Sequence, residues 1–169
     1  MKRIILISVF CFLPLLVLSG CQTHFTDSHQ KPTILVGDIS YQEVQKTYPY
    51  FQSPGKTVAQ PADAIKQLKA VSEATHLTVY FGVWCHDSVR EVPELIALLD
   101  TVNNPNISYQ LISLDMKKQE PQGRAKANGI LYTPTIVVNQ AGKELGRIIE
   151  KPEQDLATDL AKILTTVKD

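Results

Sequence analysis

The stretch Val79-Tyr80-Phe81-Gly82-Val83-Trp84-Cys85-His86-Asp87-Ser88, continued by Val89-Arg90-Glu91-Val92-Pro93, constrains this chain more than any other. A β-branched and aromatic run that ends at a cysteine and passes at once into helical spacing is how a strand hands a thiol to a helix N-terminus. Unpaired backbone N–H groups and the positive end of the helix dipole gather there, and both favour thiolate over thiol. Cys85 is therefore the candidate nucleophile. Asp87, two positions on, opposes ionisation by charge repulsion, while a protonated His86 would assist it. The plainer alternative is that Cys85 is a small buried apolar residue and Ser88 a helix-start residue.

Trp84-Cys85-x-x-Ser88 resembles the Trp-Cys-x-x-Cys motif of the thioredoxin superfamily, with Pro93 where that family's active-site helix is kinked. Thr133-Pro134-Thr135-Ile136-Val137-Val138 carries a second likeness. A proline at the first residue of a strand is tolerated because it need not donate to the ladder. The resemblance implies that Pro134 is cis and packs beside Cys85, that Thr133 offers backbone groups to an extended substrate chain, and that Trp84, His86 and Asp87 border the substrate. Ser88 departs from the pattern. In dithiol relatives the second cysteine resolves a mixed disulfide, which a serine hydroxyl cannot do, although it can donate a hydrogen bond to the Cys85 thiolate. The buried acid that the family carries six residues before the nucleophile is Val79 here, and residues 109–114 lack the usual lysine. Both losses suit a chain with no second thiol to deprotonate.

The function so implied is monothiol exchange: Cys85 forms a mixed disulfide that an external thiol resolves, making the chain a candidate thiol-disulfide oxidoreductase. The partner would be a thiol- or disulfide-containing protein, or a small thiol such as glutathione, and no cofactor or metal is called for. Two other functions stay open. One is a binding module that keeps the fold and the cis-proline groove without redox chemistry. The other is metal delivery by Cys85 with His86 or His76, which lacks a second soft thiolate ligand.

With 169 residues, 44% of them hydrophobic and 20% charged, the chain has material for one domain and a proper core. The 17 basic and 17 acidic side chains balance, and the absence of a basic run argues against nucleic acid. Met1-Lys2-Arg3 precedes an apolar run over residues 4–18 that is short for a membrane span and reads as a secretory signal. Its ending, Leu18-Ser19-Gly20-Cys21, resembles the bacterial lipobox. That resemblance implies removal of residues 1–20 and lipidation of Cys21, with palmitate-type chains holding the protein to a membrane of the cell envelope. Gln22 in place of aspartate favours the outer membrane, facing the periplasm, in a Gram-negative cell. Loss of Lys2 and Arg3 leaves 15 basic against 17 acidic side chains. Cys11 would go with the signal and Cys21 would be acylated, leaving Cys85 as the lone thiol. Residues 22–32 are a polar tether, whose His24 and His29 read as solvated side chains rather than metal ligands.

Residues 33–60 read as an N-terminal extension and 61–169 as the thioredoxin-like domain. The extension has a β-like run over 33–36, a helix opened by the capping box Ser40-x-x-Glu43 with Tyr41, Val44 and Tyr48 on one face, and a loop over 49–59. In the domain, Pro61 starts a helix that runs to about residue 75, and a strand follows at 77–81. The helix after Cys85 turns Val89, Val92, Ile96 and Leu99 inward and Arg90, Glu91 and Glu94 outward. Asn103-Asn104-Pro105-Asn106 breaks the chain before a strand at 107–115 and a short helix at 121–128 stopped by Gly129. Gln140-Ala141-Gly142 turns a hairpin between strands at 133–138 and 143–149. Pro152 opens the last helix, with Glu153 and Asp155 in its first turn and Leu156, Leu160, Ile163, Leu164 and Val167 buried. The expected fold is α/β: a thioredoxin-like central mixed sheet flanked by helices, with an N-terminal extension.

Overall fold

The apolar run before Cys85 forms the middle of a sheet. In a computed structural model that describes residues 33–52 and 59–165, this run is β2 (Thr75–Phe81). It lies parallel to β3 (Ile107–Ser113) on one side and antiparallel to β4 (Thr135–Gln140) on the other. Hairpin partner β5 (Lys143–Ile149) and the two-residue β1 (Gly37–Asp38) complete the order β1-β3-β2-β4-β5. The pleat sends Leu77, Val79 and Phe81 into one core, with α1 (Tyr41–Thr47), α2 (Ala62–Lys69), α3 (His86–Val102) and α5 (Leu156–Thr165). Tyr80 enters a smaller core on the other face, with Ile112, Val137 and Ala125 of α4 (Arg124–Ala127). Each fully buried side chain such as Phe81 contributes on the order of 2–3 kcal/mol. Two covered faces explain why β2 and β4 read as continuous apolar runs.

Local chemistry accounts for the boundaries. Ser40 caps α1 by accepting the Glu43 N–H at 3.2 Å, half of the capping box. Pro93 sits buried inside α3, which ends on Asn103 in the left-handed conformation at φ 45°. Asn104 then ties that loop to α2, donating from its Nδ2 to the carbonyls of Leu68 at 2.9 Å and Val71 at 2.8 Å.

Several expectations need correction. The strand of the extension is Gly37–Asp38, antiparallel to Ser113 and Ile112, rather than residues 33–36. The loop after α1 opens with a 3-10 turn at Pro49–Phe51. Helix α2 stops at Lys69, its carbonyls being taken by Asn104, and β2 starts earlier, at Thr75. The last helix begins at Leu156; Asp155 precedes it as a cap, accepting the Thr158 N–H at 2.8 Å, and Pro152 and Glu153 lie outside. Glu91 is buried rather than outward, because α3 is covered on a second flank where Glu91 lines a groove with Gln60 and Leu156. Arg90 Nε, at 2.6 Å from Glu91 Oε1, offsets the cost of burying that carboxylate.

Cys11, Cys21, His24, His29, the signal and tether segments, Pro54-Gly55 and Val167 lie outside the described residues. Among the described residues no helix is long and apolar enough to cross a membrane.

Candidate functional site

At the end of β2 the chain turns over residues 82–85, closed by a hydrogen bond from the Cys85 N–H to the Gly82 carbonyl at 2.9 Å. Cys85 is the N-cap of α3, in extended conformation, and the helix amides follow directly. Its Sγ is partly exposed and donates to the Thr133 carbonyl at 3.0 Å. The Thr133–Pro134 peptide bond is cis. The loop around it is pinned on both sides: Thr135 Oγ1 donates to the Tyr132 carbonyl at 2.8 Å, and the Glu150 N–H to the Pro134 carbonyl at 2.7 Å. Cys85, Thr133 and Pro134, distant in sequence, thus form one cluster.

Ser88 takes a different part from the one anticipated. It is fully buried, and its Oγ accepts the Gly82 N–H at 3.1 Å. Its hydroxyl oxygen braces the turn that presents Cys85. Trp84, half-buried, donates its indole N–H to the Leu114 carbonyl at 3.1 Å, and Lys118 Nζ stands 5.9 Å from its ring centroid. His86 is exposed on the first turn of α3. Asp87 pairs with Arg90 at 2.7 Å. Glu94, farther along α3, has its carboxyl held above the usual range by burial and by the neighbouring Glu91 charge.

Val79 is fully buried in the apolar core, with no acid beneath the thiol at that position. His76 lies near the start of β2, its Nδ1 3.0 Å from Ser108 Oγ, at the other end of the strand from Cys85. The two cannot share an ion. Among the described residues no group of three or more His, Cys, Asp or Glu side chains is arranged to hold a metal.

Sequence reasoning missed the residues that surround this cluster. Met116, Leu131, Tyr132, Ile149 and Tyr50 are large apolar or aromatic side chains left exposed. All five lie on the loops and strand ends next to the Cys85 end of β2, and Tyr50 reaches the turn itself, donating its hydroxyl to the Val83 carbonyl at 3.1 Å. Leu131 and Tyr132 directly precede Thr133, a placement that could have been noticed. Beside them, Asp87, Arg90, Glu91, Glu94 and Lys151 line an open groove of about 450 Å³. An apolar rim with a charged groove suits an extended protein chain better than an enclosed small molecule.

A family model described as thioredoxin matches residues 35–161. The chain belongs to the thioredoxin family. Its sheet and helices are the thioredoxin-like fold, with β1 and α1 ahead of the helix that leads into the central strand. Similar solved structures include a Pseudomonas aeruginosa protein of unknown function, 19% identical, over 73% of this chain and 72% of that one, with a TM-score of 0.45. The protein Trxlp of Edwardsiella tarda is 20% identical over 63% of this chain and 95% of its own, with a TM-score of 0.44. Thioredoxin-2 of the malaria parasite is 19% identical over 54% and 85% of the two chains, at 0.43. No curated protein matches this member of the thioredoxin family.

Proposed function

We propose that this thioredoxin-family chain carries out thiol-disulfide exchange with Cys85 as its sole redox sulfur. The observation that carries the reading is the Cys85 Sγ held 3.0 Å from the Thr133 carbonyl, beside a cis proline and at the head of α3. The thiolate attacks one sulfur of a disulfide. A bond from Cys85 to that sulfur forms, the substrate's sulfur–sulfur bond breaks, and the departing thiolate takes a proton from water. An external thiolate then attacks the mixed disulfide, forms a disulfide with the substrate sulfur, and returns Cys85 as thiolate; the external thiol supplies the electrons. The positive end of the α3 dipole, which Cys85 caps, favours its thiolate both as attacking and as leaving group. The apolar rim of Met116, Leu131, Tyr132 and Ile149 suits a protein partner. With serine at position 88 the mixed disulfide waits for the second thiol.

The test is incubation with oxidised glutathione followed by mass spectrometry of the peptide holding Cys85. A stable glutathione adduct is expected, absent in Cys85→Ala and short-lived in Ser88→Cys, where a neighbouring thiol can displace it. No adduct at Cys85, with glutathione or with any protein trapped from cells, would sink the reading.

A second reading is a docking module without redox turnover. It draws support from Val79, fully buried and apolar where dithiol relatives carry an acid, and from serine at position 88. Under it, Cys85→Ser would leave partner capture intact.

We further propose that the protein works from a lipid anchor in the cell envelope, with Cys21 acylated and residues 22–32 as tether. The support is the sequence pattern alone. Metabolic labelling with palmitate that persists in Cys21→Ala would overturn it.

A further inference from the structure

The residues ahead of α2 reach the turn that carries Cys85. Tyr50 donates its hydroxyl to the Val83 carbonyl at 3.1 Å, two residues before the cysteine. Its ring packs between those of Tyr48 and Phe51, at centroid distances of 5.9 and 5.5 Å. Phe51 in turn meets Phe81, the last residue of β2, edge-on at 5.9 Å. Two more hydroxyls fix this aromatic chain from behind. Tyr41 donates to the Phe51 carbonyl at 2.8 Å, and Tyr48 to the Thr33 carbonyl at 2.6 Å. The Tyr50 phenol, with an ordinary value of 10, is a donor at neutral pH, and burial, helped by Tyr48, holds it higher still.

We propose that Tyr50 is a positioning residue for Cys85, acting through the Val83 carbonyl to hold the sulfur at the head of α3. This deepens the exchange reading above and rests on it for its biological meaning. Two effects act with the same sign. The Val83 carbonyl oxygen is the negative end of a dipole in the turn that bears the thiolate, and the phenol O–H neutralises part of it. Without that bond the turn loosens and the sulfur drifts from its place at the N-terminal end of α3, where the helix dipole favours its ionised form. The charged and titratable groups on the elements packed around the cysteine stay in place: His86, Asp87 and Arg90 on α3, Lys118 after β3, Tyr132 before β4, and Glu150 and Lys151 after β5.

The test is alkylation of Cys85 by iodoacetamide in the full-length chain, followed at the Cys85 peptide by mass spectrometry across pH. Wild type is compared with Tyr50→Phe and with Tyr48→Phe, which weakens the same aromatic chain without touching Val83. Tyr50→Phe is expected to slow alkylation at neutral pH about twofold, because only the part of the bond's energy that differs between thiol and thiolate counts, and to move the profile to higher pH with a modest fall in Tm. Tyr48→Phe should lower Tm and leave the profile where it was. A Tyr50→Phe profile that overlays wild type overturns the proposal. So does an equal shift in Tyr48→Phe, which would trace the effect to the stability of the whole segment. Iodoacetamide reads the thiol whether or not a disulfide is its substrate. A shifted profile with no glutathione adduct would therefore uphold the positioning role and defeat the exchange reading.

Discussion

Gly82→Ala tests how tightly the site is assembled around Trp84. A Cβ at position 82 would lie 2.6, 2.9 and 2.9 Å from Cε2, Cζ2 and Nε1 of the Trp84 indole. Carbon atoms do not approach that closely, and a rigid ring has no flexible end to swing aside. The indole must move as a unit, giving up the 3.1 Å bond to the Leu114 carbonyl and its position under Lys118. Forced repacking costs about 1–3 kcal/mol, and the lost bond adds about 1 kcal/mol, so the substitution should destabilise by roughly 2–4 kcal/mol. Trp84 is the only tryptophan in the chain. Excited where the six tyrosines do not absorb, its emission therefore reports this ring alone, and should shift to the red as the indole leaves its half-buried seat. Urea unfolding followed by fluorescence and by far-UV circular dichroism gives both quantities. Gly142→Ala is the control: beyond its own chain neighbours no atom lies within 4 Å of its Cβ, and φ is +76°. It should cost about 1 kcal/mol of backbone strain with unchanged emission. An unshifted emission maximum in Gly82→Ala, with a loss under about 0.5 kcal/mol, would refute the packing argument.

Ser88→Ala leaves the Gly82 N–H without its buried acceptor and should cost about 1–3 kcal/mol in urea unfolding; a change under ~0.5 kcal/mol would deny the brace. Asn104→Ala frees carbonyls at the end of α2 and should cost about 1–2 kcal/mol, with hydrogen exchange quickening in α2 before α3. Arg124→Met removes a guanidinium that donates to both oxygens of Asp38, at 2.9 and 3.1 Å, and that pairs with Glu120 at 3.4 Å. Arg124 and then Gln110 hold the Asp38 carboxyl below its ordinary value of 3.8. Burial pushes Glu120 up, but the amides of Gln122, Ala125 and Arg124 and the Arg124 charge outweigh it and hold it below 4.5. Groups depressed in this way stabilise the fold above their unfolded values and lose that contribution as pH falls through the folded ones. The variant should thus be less stable than wild type by about 1 kcal/mol at pH 7, discounted for the exposure of Asp38, and the gap should close below roughly pH 4. A gap that is constant from pH 7 to pH 3 would contradict the assignment.

The fold was legible where the chain repeats one physical instruction. Residues 77–81 and 133–138 alternate too little to be surface strands and are too short for buried helices, and α3 announces itself by Val89, Val92 and Ile96. Cys85 and Pro134 were legible because each sits at the junction of two such elements. Features set by a partner elsewhere in the chain were not. Nothing near residues 37–38 says that two residues will pair with Ser113 and Ile112, since register depends on where β3 stops. Glu91 falls on the polar side of a helical wheel, yet α3 is covered on two flanks and the wheel assumes one. That the Ser88 hydroxyl oxygen accepts the Gly82 N–H was not legible, because it depends on the backbone path through Gly82. Tyr50 was lost in a segment read as loop because a Pro-Tyr-Phe run carries no period.

A sheet with two rims must also decide what becomes of them when many copies share a small space. On one rim β1 covers β3 only at Ile112 and Ser113. On the other, β5 carries exposed Lys143 and Glu144, an Arg147–Glu144 pair at 2.7 Å, and an irregular register against Val138 and Asn139. A strand from another molecule that sought to join β5 would have to strip water from those charges and follow a ladder that changes step partway along. The outer strand that looks least important to the chemistry is thereby a poor template for a strand from another copy.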